Sequence, residues 1–108
     1  MSVYHVAQWS VNEQDADACG KAIEVIAGHI RADHAAAASL RTYRQSVGPL
    51  PLRTCFLQVE YESLTAMDAD PETPACDQVW APIFGLAQPG TFLVSIWSDP
   101  QRASWFVR

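Results

Sequence analysis

The sequence predicts an α+β domain in which two helices pack on one face of a four-stranded antiparallel sheet. Three observations support this fold class. Four segments have side chains of alternating character or are rich in β-forming residues, as in strands. Two others place apolar residues three and four positions apart, as in amphipathic helices. Turn-forming residues or a change of period separate these segments, which follow one another in the order β-α-β-β-α-β.

The first strand is predicted at residues 4–11, which are rich in β-forming residues. Asn12 or Asp15 is expected to cap the following helix by accepting backbone N–H bonds. That helix is predicted to run to about Asp33. One face of it carries an apolar stripe, which consists of Cys19, Ala22, Ile23, Ile26 and Ile30.

The second and third strands are predicted to form an antiparallel hairpin. Residues 40–47 alternate in character and form the second strand. Residues 48–51, with the sequence GPLP, form the connection. Residues 52–61 form the third strand, which is the segment richest in β-forming residues.

The second helical region is predicted to be interrupted by proline. Ser63 caps a short helix that Pro71 ends. Thr73 caps a second segment with Pro74 at its first helical position, where the missing N–H costs nothing. Pro82 is expected to kink this segment or divide it into separate turns.

The last strand is predicted at residues 91–97, after a turn at residues 88–90. The tail, residues 99–108, includes a possible short strand at residues 103–107. The complete order is that of a ferredoxin-like fold, whose sheet carries both helices on one face. All four strands have apolar residues on both faces, so the uncovered face predicts a homodimer that packs sheet against sheet.

Composition limits the classes of function. A chain of 108 residues predicts one domain, residues 1–108. The net charge of −5 argues against nucleic-acid binding, which requires a basic surface. No signal peptide and no apolar run long enough for a membrane span is apparent. Cys19, Cys55 and Cys76 form no CxxC and no zinc motif, so we expect small apolar side chains in a reduced, cytoplasmic protein.

Three segments resemble the dimeric α/β-barrel proteins of the antibiotic-biosynthesis-monooxygenase type. FLQVEYESLTAMDAD resembles the passage from third strand to helix in that family, where a strand ends in Glu and an aromatic residue, here Glu60 and Tyr61. SLRTYRQS resembles its second strand, and TPACDQVWAPIFGL resembles its segmented second helix. The resemblance covers residues 3–98 and implies a dimeric barrel with a pocket between the sheet and helices of each protomer.

The resemblance also implies a class of activity. Members include oxygenases that act on aromatic polyketides and quinols without a cofactor, haem-degrading enzymes and proteins of no known activity. Members often carry a His on the second helix, where this sequence has Asp68 and Asp70, and no His follows position 34, which disfavours haem degradation. We therefore expect a cofactor-independent monooxygenase for an aromatic or quinol-type molecule. The alternatives are a non-catalytic homodimer that binds a small molecule, or serves as an interaction module, and an isomerase or cyclase.

His5 is the candidate catalytic base, because the pKa of histidine lies near neutrality; the alternative is a strand histidine with a structural role. Aromatic residues either bind the substrate or fill the core. The candidates for substrate binding are Trp9, Tyr43, Phe56, Trp80 and Phe84.

No metal site is expected. His29 and His34 lie five residues apart, which on a helix is about 140° of rotation, so they are interpreted as surface or helix-end residues. The acidic run that starts at Asp68 lacks the Gly and Glu of a calcium-binding loop at the required positions.

Overall fold

A computed structural model describes residues 2–48, 50–70 and 74–98. Its elements are β1 (Val3–Asn12), a 3-10 turn (Glu13–Asp15), α1 (Ala16–Asp33), β2 (Ala37–Arg44), β3 (Leu52–Tyr61), α2 (Leu64–Ala69), α3 (Pro74–Leu86) and β4 (Leu93–Ser98). The strands form a four-stranded sheet in the order β2-β3-β1-β4, and every neighbouring pair is antiparallel. The predicted α+β fold class is confirmed.

Some of the observed element boundaries agree with those predicted from the sequence, and others do not. β3 has the predicted bounds, whereas β2 begins three residues earlier than predicted and ends at Arg44, with a register shift between Ala37 and Ser39. The predicted caps of the first helix are wrong. Neither Asn12 nor Asp15 caps through its side chain, because a 3-10 turn lies between β1 and α1.

The second helical region follows the sequence more closely. The Ser63 hydroxyl accepts the backbone N–H of Ala66 at 3.0 Å and caps α2, as predicted. Pro74 is the first residue of α3, and the helix continues through Pro82, so the prediction of separate turns is wrong. The expected roles of residues 71 and 73, and the possible strand at residues 103–107, lie outside the described residues.

The core lies between the sheet and the helices α1 and α3. Odd-numbered side chains of β1 and β3 meet the apolar stripe of α1 and Ile83 of α3. We call this side of the sheet the helix face. Its fully buried large side chains are Trp9, Val11, Cys19, Ile26, Cys55, Leu57 and Ile83. The stripe predicted from Cys19 to Ile30 is buried throughout.

The opposite side of the sheet, the open face, carries no helix in the part of the chain described. The even-numbered residues of β1 and β3 lie on this face, because the odd-numbered ones face the helices. Their strand partners lie there too: Tyr43 is opposite Phe56, and Trp97 is opposite Tyr4. Both Tyr43 and Trp97 are more than half exposed. None of the helices in the described ranges has the length and apolar character required to cross a lipid bilayer.

Candidate functional site

Four aromatic rings pack together at one end of the helix face. We call this group the aromatic cluster: Trp9 of β1, Trp80 and Phe84 of α3, and Phe92, which precedes β4. Trp80 and Phe84 are four residues apart, so one face of α3 presents both. The Trp9 ring meets Trp80 edge-on at a centroid distance of 5.7 Å and stacks on Phe92 at 6.0 Å. These are favourable aromatic geometries.

Burial differs sharply within the aromatic cluster. Trp9 is fully buried, and its indole Nε1–H donates to Cys19 Sγ at 3.4 Å. Phe84 is 56% exposed, and Trp80 is half-buried. The outer edge of the cluster therefore offers aromatic surface to a ligand, whereas Trp9 is a core residue packed against its neighbours.

The structure does not bring the predicted substrate-binding residues together. Phe56 has an even number in β3, whereas Cys55, which pairs with Trp9, faces the helices. Because successive strand residues point to opposite faces, Phe56 and its partner Tyr43 lie on the open face. A single pocket that includes Trp9, Phe56 and Tyr43 is therefore excluded by the geometry of the sheet.

His5 lies on the helix face of β1. It pairs with Val59 of β3 and Ile96 of β4, and it is half-buried. Four residues along a strand span about 13 Å, so the His5 backbone is well separated from that of Trp9.

The open face forms a shallow concavity of about 700 Å³. Its lining combines aromatic rings with polar and charged side chains, and consists of Tyr4, Val6, Gln8, Arg41, Tyr43, Phe56, Gln58, Glu60, Trp97 and Ser98. Glu60 accepts hydrogen bonds from the hydroxyls of Ser2 at 2.6 Å and Ser39 at 2.8 Å. These bonds favour the carboxylate and lower the pKa of Glu60.

A second group of side chains lies at the other end of the helix face. We call it the histidine–cysteine cluster: His29 of α1, His34 just after α1, and Cys76 in the first turn of α3, with Asp33 and Asp70 behind the histidines. The Nε2 atoms of the two histidines are 3.2 Å apart. Cys76 Sγ lies 3.3 Å from Nε2 of His29 and 3.5 Å from Nε2 of His34.

The prediction that the two histidines point apart is wrong. The angle of about 140° holds only if both residues are helical. α1 ends at Asp33, and His34 has a non-helical backbone with φ −114° and ψ 72°. The chain therefore turns at His34, and its ring meets that of His29 edge-on at a centroid distance of 5.0 Å.

Tyr61 and Asp70 anchor the histidine–cysteine cluster to the sheet. The hydroxyl of Tyr61, the last residue of β3, donates to Asp70 Oδ2 at 2.7 Å, and His34 Nδ1 lies 2.9 Å from the same oxygen. The Asp70 side chain is buried, so these contacts are formed out of water. The pKa of Tyr61 is raised mainly by burial and, to a smaller extent, by the hydrogen bond to the Asp70 carboxylate.

The other two cysteines lie in the core, as expected from the sequence. Cys19 and Cys55 are fully buried, with their sulfurs 3.7 Å apart. The hydrogen bond with Cys19, together with burial, raises the pKa of the Cys55 thiol. Cys76 differs, because its sulfur lies beside two imidazoles and not among apolar side chains alone.

Sequence reasoning missed the histidine–cysteine cluster because its members come from α1, from α3 and from the residues that follow α1 and α2. One available signal was the position of His34 at the predicted end of a helix, where a change of backbone direction is normal. A second was Asp33, which lies four residues after His29 and therefore on the same face of the helix. The carboxylate partner of His34, Asp70, is distant in sequence and gave no such signal. Cys76 lies more than 40 residues away from both histidines, so no linear motif includes it.

No protein-family profile and no curated protein matches this sequence. Solved structures do match it. Rv0793 from Mycobacterium tuberculosis superimposes with a TM-score of 0.70 at 18% identity, over 96% of this chain and 100% of that one. A proposed antibiotic biosynthesis monooxygenase from Caulobacter crescentus has a TM-score of 0.70 at 14% identity, over 91% of this chain and 89% of that one.

A dimeric ferredoxin-like protein of unknown function from Jannaschia sp. also matches, with a TM-score of 0.68 at 15% identity, over 92% of this chain and 100% of that one. The chain has the ferredoxin-like fold of these proteins. The resemblance to antibiotic-biosynthesis-monooxygenase-type proteins is thus confirmed for the fold. At these identities the likeness establishes the architecture, and the chemistry must be argued from this chain's own residues.

Proposed function

We propose that the protein is a homodimer that acts as a cofactor-independent monooxygenase on an aromatic or quinol-type small molecule. The observation that carries the proposal is the aromatic cluster between the sheet and α3, whose outer edge is exposed at Phe84. Support also comes from the fold, which this chain shares with proteins described as proposed antibiotic biosynthesis monooxygenases.

The homodimer is proposed to form through the open face. Large apolar or aromatic side chains are exposed there, including Tyr43 and Trp97. Exposed apolar patches of this kind usually mark an interaction surface. A two-fold axis would bring each sheet against its copy, and Arg41 of one protomer could then pair with Glu60 of the other. Proteins of the same fold are described as dimeric.

In the proposed reaction, a base removes a proton from an activated carbon of the substrate. The carbanion passes one electron to O₂, and the two radicals combine into a hydroperoxide. Loss of water then leaves a carbonyl, so a CH₂ group and O₂ become C=O and H₂O. The substrate supplies every electron, and the protein contributes a base, orientation and exclusion of water.

Residues on the helix face are assigned the catalytic roles. His5 is proposed as the base, and Trp80 and Phe84 are proposed to hold one end of an aromatic substrate that extends along β1 toward His5. Trp9 packs edge-on against Trp80 on the core side and holds the Trp80 ring in place. Tyr43 and Phe56 belong to the proposed dimer interface, because they lie on the opposite side of the sheet.

Oxygen uptake over a panel of anthrones, naphthols and quinols tests this proposal. We expect protein-dependent uptake that Trp80→Ala reduces at least about tenfold, which corresponds to about 1.4 kcal/mol of transition-state stabilisation. His5→Gln should lower kcat, and uptake should survive treatment with a chelator. Tyr43→Phe, a change on the open face that keeps the ring, is the matched control. Uptake that is unchanged in both Trp80→Ala and His5→Gln would contradict the assigned site.

A non-catalytic homodimer that binds a small molecule is the second candidate. The complete burial of Trp9 favours it, because tight packing at the inner side of the aromatic cluster leaves little depth for a reacting substrate. Tryptophan fluorescence titration separates the two candidates. Quenching by an aromatic ligand without oxygen uptake would support the binding protein over the enzyme.

A further inference from the structure

The histidine–cysteine cluster has the composition of a transition-metal site. Imidazole nitrogen and cysteine sulfur are the ligands that zinc and similar cations prefer, whereas calcium and magnesium take oxygen ligands. Three such atoms converge here, Nε2 of His29, Nε2 of His34 and Sγ of Cys76, and all lie within 4.8 Å of one another. The histidine side chains are only 8% and 12% exposed, so the cluster is largely shielded from water.

The partners of the histidines fix the direction of their lone pairs. Nδ1 of His29 lies 2.8 Å from Asp33 Oδ2, and Nδ1 of His34 lies 2.9 Å from Asp70 Oδ2. Because an ionised carboxylate only accepts hydrogen bonds, both Nδ1 atoms carry the proton. In neutral rings, both Nε2 atoms then present lone pairs to each other and to Cys76. Such a concentration of acceptors requires a proton or a cation between them.

The distances match those of a tetrahedral zinc ion. Zn–N bonds of about 2.0–2.1 Å and Zn–S bonds of about 2.3 Å place two nitrogens about 3.3 Å apart and nitrogen and sulfur about 3.6 Å apart. The observed separations are 3.2 Å between the nitrogens of His29 and His34, and 3.3 and 3.5 Å from those nitrogens to Cys76 Sγ. The protein thus holds three ligand atoms at nearly the spacing that zinc requires.

The carboxylates are the usual outer partners of such a site. Histidines that bind metals commonly donate their other ring N–H to a carboxylate, which fixes the tautomer and orients the ring. Asp33 and Asp70 both have this arrangement. Asp70 is itself held by Tyr61, so the arrangement extends from the cluster to β3.

We propose that His29, His34 and Cys76 bind Zn²⁺ through Nε2, Nε2 and the Sγ thiolate. Three protein ligands leave a fourth coordination position for water or a small ligand, as in catalytic zinc sites. His34 also lines a surface concavity of about 340 Å³ between the end of α1 and β2. This site does not rest on the proposed oxygenase function, because it shares no residue with the aromatic cluster.

Titration of the reduced, metal-free protein with Co²⁺ tests the site directly. A tetrahedral cobalt centre with a thiolate ligand has strong visible d–d bands and a near-ultraviolet charge-transfer band from sulfur to cobalt. We expect both bands to saturate at one Co²⁺ per chain and to disappear when one equivalent of Zn²⁺ is added. Binding without the charge-transfer band, or no binding by folded protein, would overturn the proposal.

Variants distinguish these ligands from general metal binding. Cys76→Ser should abolish the charge-transfer band, and His29→Gln and His34→Gln should each weaken Co²⁺ binding at least tenfold. Cys19→Ala is the matched control, which removes a thiol outside the cluster and should retain the wild-type spectrum and affinity. Circular dichroism confirms that each variant is folded. Loss of the band in Cys19→Ala but not in Cys76→Ser would contradict the assignment.

Asp70 is expected to act as a positioning residue. Asp70→Asn keeps the side-chain volume but removes the charge that orients His34, and should weaken Zn²⁺ binding by about 10- to 100-fold. The Co²⁺ charge-transfer band should persist at saturation, since Cys76 remains a ligand. Unchanged affinity in folded Asp70→Asn protein would show that this carboxylate does not orient a metal ligand.

Discussion

The two ends of the helix face use the same backbone framework for different purposes. At one end, the aromatic cluster fills the space between β1 and α3 with rings. At the other, near the pairing of Val3 with Tyr61, the same layer holds imidazoles, a thiol and carboxylates. Trp9 and Val3 are six residues apart, so the two ends are separated by about 20 Å along the strand.

The difference shows how each end is stabilised. Rings need no specific partner, so the aromatic cluster is stabilised by burial and by its packing geometry. The histidine–cysteine cluster is polar and largely shielded from water, so every group in it needs a hydrogen bond or a ligand. Removing the buried ring at the aromatic end should therefore lower stability most, whereas mutations at the other end should cost less stability and should also affect metal binding and pH response.

The largest expected effect on stability is that of Trp9→Ala. Removing a fully buried tryptophan should lower the free energy of unfolding by about 3–5 kcal/mol, since the change leaves a cavity in the core. Phe84→Ala, in the same cluster but 56% exposed, should cost about 1 kcal/mol or less. Urea unfolding at one fixed protein concentration compares the two. Equal losses would contradict the division into a buried inner side and an exposed edge.

Asp70→Ala should have the next largest effect. It leaves the Tyr61 hydroxyl and His34 Nδ1 without an acceptor in a buried site, which should cost about 1–3 kcal/mol. Asp33→Ala is the control, because the Asp33 side chain is 54% exposed and its contact with His29 should contribute about 1 kcal/mol or less. Urea unfolding of metal-free protein measures both. A loss for Asp33→Ala as large as that for Asp70→Ala would contradict the anchoring role of Asp70.

The smallest expected effect is on alkaline stability. The pKa of Tyr61 is raised in the folded state, so its contribution is complete below the unfolded pKa of about 10 and is lost as pH rises through the folded pKa. Urea midpoints at pH 8 and pH 11 should therefore differ less in Tyr61→Phe than in the wild type. Tyr43→Phe should keep the wild-type difference. An unchanged difference in Tyr61→Phe would show that this hydroxyl does not contribute to alkaline unfolding.

The sequence predicts most of the fold because the strands and helices are locally consistent. β3 has its predicted bounds, since it is the segment richest in β-forming residues and the GPLP connection precedes it. β2 was predicted to begin late because its first residues, from Ala37, continue an alanine run that is typical of a helix. Pairing with β3 through a register shift determines its true start, and such tertiary pairing is not visible in a local pattern.

The two clusters differ in how far the sequence reveals them. Trp80 and Phe84 share a helix face, so their contact follows from spacing alone. The contact between Cys76 and His29 joins residues 47 positions apart and depends on how α3 lies beside α1. Strand parity would have separated Phe56 from Trp9, had the register of β3 against β1 been known.

Anomalous diffraction at the zinc absorption edge, from crystals grown with Zn²⁺, would test most directly whether the histidine–cysteine cluster binds metal and the aromatic cluster does not. The account predicts one anomalous peak per chain, about 2.0–2.3 Å from Nε2 of His29, Nε2 of His34 and Sγ of Cys76, and no peak at the aromatic cluster. A fully ordered site with no anomalous density, or with the His34 ring turned away from Cys76, would contradict the assignment of this end of the helix face to metal binding.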